Sequence, residues 1–321
     1  MRGIVWPLIV GTLFLPIYIN AAEVCRQKTN MDAGYCDENR DLIPDAPKNP
    51  ALLKNPDTLF FMYTPVQDVS VNEKIFDPLT KYLAQCTGKQ VAYARYQSDA
   101  EELEAMRTGQ LHIAAFASGT TVSAVNKSGA VPFASWGKAD KAQGYYLLLI
   151  VKKDSPYKKP DDLKGKKVAH VSETSNSGHI APLSLLPRRG LTPGIDYQPL
   201  FSGKHDKSIL GVKSGEYDAA PVASDVFHRM VAQGQIKEDE FRVLYTSPRF
   251  PTSSIAHAYD LQPALRDKIV KCFFDFRSPP QMQKSFDNAD RFVPIIYASD
   301  WEIIRSVAAT NDRIKSAAKK K

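Results

Sequence analysis

Lys167-Val168-Ala169-His170-Val171-Ser172-Glu173-Thr174-Ser175-Asn176-Ser177-Gly178-His179-Ile180-Ala181-Pro182 is the stretch on which the fold reading turns. Lys167 to Val171 reads as a short strand. Small hydroxylated residues and one glycine follow, and a helix begins near Ile180. Such a strand-to-helix turn leaves backbone N–H groups without intrahelical acceptors, and the positive end of the helix dipole lies behind them. That combination favours an anion. Ser175 and Ser177 each add a hydroxyl proton that an oxyanion can accept. The same residue types also serve as plain N-caps. A nucleotide P-loop is excluded, because GxxxxGK[ST] is absent.

Strands and helices alternate on both sides of this turn. Upstream, Leu59 to Tyr63 is an apolar run that stops at Thr64-Pro65. Ile75, Phe76, Leu79 and Leu83 then recur at helical spacing. Gln90 to Tyr96 alternates as a strand, Ser98 caps a helix carrying Leu103 and Met106, and Leu111 to Phe116 is a further strand. The pattern restarts with the strongly apolar Tyr145 to Val151, followed by a short helix at Pro160 to Leu163. Beyond the quoted stretch, helices around Pro182 to Arg188 and Ile209 to Ser214 alternate with strands at Tyr217 to Val222 and Phe241 to Tyr245. Helices around Pro263 to Phe276 and Asp300 to Ala309 close the chain. This alternation predicts an α/β fold with mainly parallel sheet, repeated in two units. Gly144 and Ser247-Pro248 flank the second unit. An inserted lobe, residues 144–248, joined by two crossing segments to a first lobe of 58–143 plus 249–321, accounts for that. Such a pair of lobes closes by a hinge on a ligand between them.

Three further turns carry related chemistry. Phe116-Ala117-Ser118-Gly119-Thr120-Thr121 is another strand end before a helix, so each lobe offers one anion-binding turn to a shared cleft. In Ser202-Gly203-Lys204-His205-Asp206-Lys207-Ser208, His205 is a candidate donor and Asp206 the expected cap of the next helix. In Ser224-Asp225, the aspartate either caps the helix carrying Phe227 or faces the ligand, and the cap is the default reading.

In this order the motifs resemble those of the phosphonate/phosphite/phosphate-binding proteins of ABC importers, which share the two-lobe type II periplasmic-binding fold. The family's Gly-Tyr-aromatic crossing strand, running into Lys-Asp-Ser-Pro, reads here as Gly144-Tyr145-Tyr146 and Lys153-Asp154-Ser155-Pro156. Its Ser-Thr-Ser-Gly loop reads as Ser175-Asn176-Ser177-Gly178 with Pro182 shortly after, and its Gly-x-His segment as Gly203-Lys204-His205. The resemblance runs from about Leu59 to Trp301. It implies that Ser175, Asn176 and Ser177 hold phosphoryl oxygens, that His205 donates to the same group, and that Tyr145 lines the cleft near the hinge. Phosphonate-binding relatives end the third strand with a tyrosine. Phe116 stands there in this chain, which loses a hydroxyl that Ser118 and Thr120 are placed to replace. Aminoethylphosphonate-binding relatives use two carboxylates for the ammonium. Asp225 matches one and Ser253 stands at the other, so a smaller anion such as phosphite, methylphosphonate or phosphate is favoured. The implied protein diffuses as a monomer, needs no cofactor or metal, and hands its ligand to importer membrane subunits.

Composition agrees with an exported globular chain. Of 321 residues, 43% are hydrophobic and 24% charged, within the ordinary globular range. Arg2, the apolar run Ile4 to Ile19 and the small residues Asn20-Ala21-Ala22 form a secretory signal pattern over residues 1–22, which implies a periplasmic location. Residues 23–57 read as an extended lead-in. Four cysteines suit an oxidising compartment. Cys25 and Cys36 suit a local staple, while Cys86 and Cys272 either pair or serve as two small buried hydrophobes. Metal binding is disfavoured, since neither CxxC nor HxxxH occurs. The formal charge of +7 is dispersed apart from Lys319-Lys320-Lys321, so it draws anions towards a cleft but does not build a nucleic-acid surface.

Three rivals stand beside the resemblance. A receptor of the same fold for an organosulfonate or a thiamine-precursor pyrimidine would use aromatics, with Tyr63, Phe116, Tyr145 and Tyr146 as candidates. A partner that presents ligand to a membrane sensor would look the same in sequence. An enzyme would exploit Ser177-Gly178-His179, but there is no GxSxG elbow and no base indicated by spacing.

Overall fold

The computed structural model describes Cys25 and residues 30–64, 69–139, 141–173 and 175–318. The signal pattern at 1–22 and the terminal lysines lie outside the described residues. From residue 30 to residue 57 the chain is irregular, with a hydrogen-bonded turn from Asp32 to Tyr35 and a short 3₁₀ turn at Pro50–Leu52. It is tied down by Asp32 N–H on the Asn126 carbonyl (2.7 Å), Lys54 N–H on the Asp260 carbonyl (2.7 Å) and the Cys25–Cys36 disulfide.

The first lobe opens with β1 (Thr58–Tyr63), α1 (Val69–Thr87), β2 (Gln90–Tyr93), α2 (Asp99–Arg107), β3 (Ile113–Phe116), α3 (Ser118–Ser128), β4 (Ala130–Lys138) and β5 (Lys141–Ala142). The chain crosses through β6 (Gly144–Tyr145) into the second lobe. There it forms β7 (Leu147–Lys152), β8 (Ala169–His170), α4 (Ala181–Leu185), β9 (Leu200–Phe201), α5 (His205–Ser214), β10 (Ala219–Ala223), α6 (Ser224–Ala232) and β11 (Phe241–Thr246). It returns through β12 (Phe250–Pro251) to the first sheet with β13 (Ser254–Ala258), α7 (Pro263–Asp275), α8 (Pro280–Ser285) and β14 (Arg291–Pro294), and ends with α9 (Tyr297–Asp300) and α10 (Glu302–Ala318).

The two sheets share one plan. The first runs β14-β4-β13-β3-β1-β2, and the second has β10-β7-β11 with β8 and β9 attached through the Val168–Ala219 bridge. In each sheet the strand next to a crossing segment, β13 or β7, lies antiparallel between two neighbours. The sheets are therefore mixed rather than mainly parallel, because the crossing segments feed their strands in from the opposite end. The crossing segments pair with each other, Tyr145 opposite Phe250 and Gly144 opposite Pro251. Glycine is required at 144: a Cβ there would lie 2.6 Å from the Phe250 carbonyl oxygen and 2.4 Å from the Arg249 guanidinium.

Apolar burial fixes each lobe. Leu59, Phe61, Phe76, Leu79, Leu83, Phe273 and Phe292 pack around Trp136 in the first, and the Cys86–Cys272 disulfide ties α1 to α7. Ile150, Val212, Val222, Phe227 and Phe241 form the second core. A third cluster spans both lobes: Val122 and Val125 of α3 meet Leu147, Leu149 and Ala181 of the second lobe, joined by Trp301, Ile304 and Val307 at the C-terminal end. The lobes thus share apolar contact as well as the hinge.

Candidate ligand-binding site

The loop quoted at the outset forms as a cap. Ser175 is extended (φ −68°, ψ 121°), and a π-helical turn, Asn176–Ile180, runs on into α4. Ser175 Oγ accepts the Gly178 N–H at 3.2 Å. Gly178 allows this closeness, since a Cβ there would meet Ser175 Oγ at 2.7 Å and Val171 at 2.5 Å. Asn176 and Ser177 open the helix, so their N–H groups have no acceptor one turn back. Plain capping, one of the two readings of this loop in the sequence, thus occupies one lone pair of Ser175 Oγ and leaves its hydroxyl proton open to a further partner.

His205 explains how. It opens α5, and its Nδ1 accepts the Ala223 N–H at 3.1 Å. Burial pushes the imidazole down to about 4, so the ring is neutral and its single proton sits on Nε2. Nε2 lies 3.3 Å from Ser175 Oγ. The serine oxygen therefore accepts two hydrogen bonds and keeps its own proton for a third group. In this geometry His205 Nε2 faces Ser175 Oγ. Asp206 is not the helix cap; that position is Lys204, and the Asp206 carboxylate accepts the neighbouring Lys207 N–H.

Tyr145 joins the lobes. Its hydroxyl lies 3.1 Å from Ser118 Oγ, at the start of α3 in the first lobe, and accepts from Asn176 Nδ2 at 3.0 Å in the second. Ser177 completes the surround, and burial keeps the phenol protonated. Trp301 Nε1 holds the Ser118 carbonyl at 3.1 Å. Across the cleft, Asp225 lies in the first turn of α6. The N-cap is Ala223, with no side-chain cap, so the default reading of Asp225 as a cap is overturned. Ser224 takes up the strand tie instead: its Oγ accepts the Tyr146 N–H at 2.9 Å. Burial raises the Asp225 carboxyl, opposed by Arg229 one turn on. The Tyr63 hydroxyl, at the end of β1, is close enough to Ser253 and Asp225 for both to bear on its acidity, and burial pushes it up to about 12.

Three side-chain atoms of this cluster are buried without a hydrogen-bond partner among the described residues: Asn176 Oδ1, Asp225 Oδ1 and Ser253 Oγ. Two belong to the second lobe and one to the first. Two expected residues do not join them. Phe116 is fully buried among Met62, Met106, Leu111 and Ala124, because its ring fills the face of β3 under α2 and α3. Thr120 spends its hydroxyl proton on Asp99 (2.9 Å). Tyr146, a candidate for stacking on an organic ring, is 39% exposed. Thr64 and Trp301 were missed in the sequence, where a lone threonine or tryptophan carries no pattern, and Ser224 was read only as the neighbour of Asp225. Tyr63 was visible as an aromatic at a strand end, but its polar role was not.

A family model described as "ABC transporter, phosphonate, periplasmic substrate-binding protein" matches residues 61–301. The chain is 23% identical over 206 residues to the phosphonates-binding periplasmic protein of Escherichia coli, covering 63% of this chain and 61% of that one. It is 26% identical over 240 residues to the phosphate-import protein PhnD of Mycolicibacterium smegmatis, covering 71% and 75%. Among solved structures, PhnD1 of Prochlorococcus marinus in complex with methylphosphonate superposes with a TM-score of 0.67 at 20% identity, over 80% of this chain and 99% of that one. That likeness establishes a shared fold.

Proposed function

The chain belongs to the family of periplasmic substrate-binding proteins of phosphonate ABC transporters, and from that premise we propose that its cleft captures a small phosphorus oxyanion, such as phosphite, methylphosphonate or phosphate, for an importer. Its fold is the two-lobe type II periplasmic-binding fold with a hinge and an interlobe cleft. One observation carries the ligand reading: polar atoms of Asn176, Asp225 and Ser253, from both lobes, are buried and unpaired around a cluster whose Ser175 hydroxyl retains a free proton. Leaving such atoms unpaired costs about 1–3 kcal/mol each; Ser253 can donate to an oxyanion oxygen, while Asn176 Oδ1 and Asp225 Oδ1 are acceptors, one of which an acidic hydrogen on the ligand would serve.

The parts divide by charge. Ser175, Ser177 and the helix N–H groups at 176 and 177 donate to phosphoryl oxygens. The Ser118 and Tyr145 hydroxyls lie 3.1 Å apart, so one of their two protons is spent in that bond and the other completes the donor set. Asp225, whose carboxyl is raised by burial, suits a protonated ligand oxygen or a cationic substituent and disfavours a fully deprotonated dianion. Ser253, with no charge, is a weak partner for an ammonium, which favours the smaller anions over aminoethylphosphonate. Ligand docks on one lobe, and closure about β6 and β12 then dries the site and strengthens each hydrogen bond. We assign residues 58–143 plus 249–321 and residues 144–248 to the two moving lobes. The mature chain acts in the periplasm, as a carrier rather than an enzyme, and docks on importer membrane subunits.

A thermal-shift screen of the mature chain tests this, with phosphate, phosphite, methylphosphonate, aminoethylphosphonate, sulfate, taurine and a pyrimidine. Stabilisation by one phosphorus oxyanion is expected. Stabilisation by taurine or the pyrimidine alone would overturn the ligand while leaving the fold. Asp225→Asn is expected to reorder the ligands, and an unchanged ranking would refute its role.

A further inference from the structure

Glu102 is a fully buried acid that ligand capture does not use. It sits on the inner face of α2 beside Ala105 and Met106. Its Oε2 is 3.0 Å from the Thr64 hydroxyl, and Oε1 has no partner among the described residues. The Thr64 hydroxyl has two other contacts. One is the Ala115 carbonyl at 2.9 Å, which can only accept, and the other is the Ala117 N–H at 3.1 Å, which can only donate.

Proton counting separates two states. Thr64 has one hydroxyl proton. If it goes to Ala115, the contact with Glu102 is a hydrogen bond only when the carboxyl is protonated and donates. If it goes to Glu102, a wholly buried carboxylate has a single hydroxyl to compensate it. No lysine, arginine or histidine among the described residues lies within ion-pair distance of it, and Asp99, one turn back, is a like charge. Burying a charge on those terms is far more costly than burying a neutral acid. The other ionisable groups that sense Glu102 are Tyr63 of β1 and Tyr93 of β2, both phenols that burial keeps protonated. Burial and Asp99 together push the Glu102 carboxyl well above the ordinary value, against the pull of Thr64.

The geometry points to Glu102 as a neutral carboxylic acid that donates to Thr64 and so fixes the Ala117 N–H, which places the Ser118 end of α3 in the ligand site. Ala117 is the N-cap of α3 and offers no side-chain cap of its own, so the first turn of that helix depends on this external support. Glu102 is thus a positioning residue. Its part in capture rests on the function proposed above, whereas its protonation does not.

The test separates the two. Glu102→Gln keeps the shape and supplies an amide donor to Thr64. In wild type the folded-state carboxyl is raised, so its contribution to stability falls as pH rises above the unfolded value of about 4.3. The melting temperature of Glu102→Gln should therefore gain on wild type as pH rises above the unfolded value, for as long as the folded carboxyl stays protonated. Infrared difference spectra should show a protonated carboxyl stretch in wild type at neutral pH that the variant lacks. A constant gap in melting temperature and no such band would overturn the neutral acid. For positioning, binding of methylphosphonate and inorganic phosphate is measured against pH. Wild-type affinity should weaken towards alkaline pH as Glu102 ionises, Glu102→Gln should hold its affinity, and Glu102→Ala should bind several-fold more weakly at every pH. Affinity in Glu102→Ala equal to wild type would overturn the positioning role. If neither anion binds wild type, that role falls with the proposed function, and the infrared result still decides the protonation.

Discussion

Removing the Tyr145 hydroxyl with Tyr145→Phe tests the closed cleft most directly. That oxygen is the point where hydrogen bonds from the first lobe (Ser118, 3.1 Å) and the second (Asn176, 3.0 Å) meet on the hinge strand. The phenyl ring remains, so its packing on Phe250 at 5.7 Å is kept. The loss is then two hydrogen bonds, each contributing about 0.5–1.5 kcal/mol, with Asn176 Nδ2 left unpaired in a buried setting, for a total of about 2–3 kcal/mol. Asn176 and Tyr145 lie in the same lobe and only the Ser118 contact crosses between the lobes, so the part of the loss that falls on the closed state alone is that one bond, about 0.5–1.5 kcal/mol. Ligand affinity measures closure, and tenfold corresponds to 1.4 kcal/mol, so titration calorimetry should show a dissociation constant about 2–12 times higher. Small-angle scattering should show ligand compacting wild type more than the variant. Tyr146→Phe, whose side chain is exposed, is the control and should change neither quantity. Unchanged affinity and full compaction in Tyr145→Phe would refute the coupling of this hydroxyl to closure.

Two further outcomes follow from the same geometry. The double substitution Ser175→Ala, Ser177→Ala removes two charge-assisted donors contributing about 1.5–3 kcal/mol each, so anion binding should fall below detection in calorimetry while the circular dichroism spectrum is kept. Retained affinity would displace the site from this loop. Acid should weaken the fold through histidines buried in their neutral form. His205 and His257 are held down at about 4 and His170 at about 3, all by burial, below the unfolded value of about 6.5. Their contribution is whole above that value and is lost as pH falls through it towards 4, so the melting temperature should drop across that window. A flat profile there would contradict their neutral burial.

The sequence by itself determined the two-lobe fold class and the local cap geometry of the loop at Ser175. Both are local: strand-helix alternation follows from apolar spacing, and Ser175 to Gly178 carries its cap geometry in adjacent residues. It also placed Tyr145 at the crossing strand and Ser98 as the cap of α2, which accepts the Glu101 N–H at 3.2 Å. The strands β4, β13 and β14 were not legible, because Pro132, His257 and Pro294 break the apolar runs by which strands are recognised. Their place in the sheet comes from partners more than a hundred residues away, such as Ser254 opposite both Phe116 and Ser135. The pairing of Cys86 with Cys272 was one of two open readings, and it was decided by the packing of α1 on α7. Tertiary structure likewise decided the fates of hydroxyls that look alike in sequence. Ser118 reaches Tyr145, Thr120 is spent on Asp99, and Thr64 is held by a buried acid. A hydroxyl has one proton, and which neighbour takes it is set by residues that folding brings together across the chain.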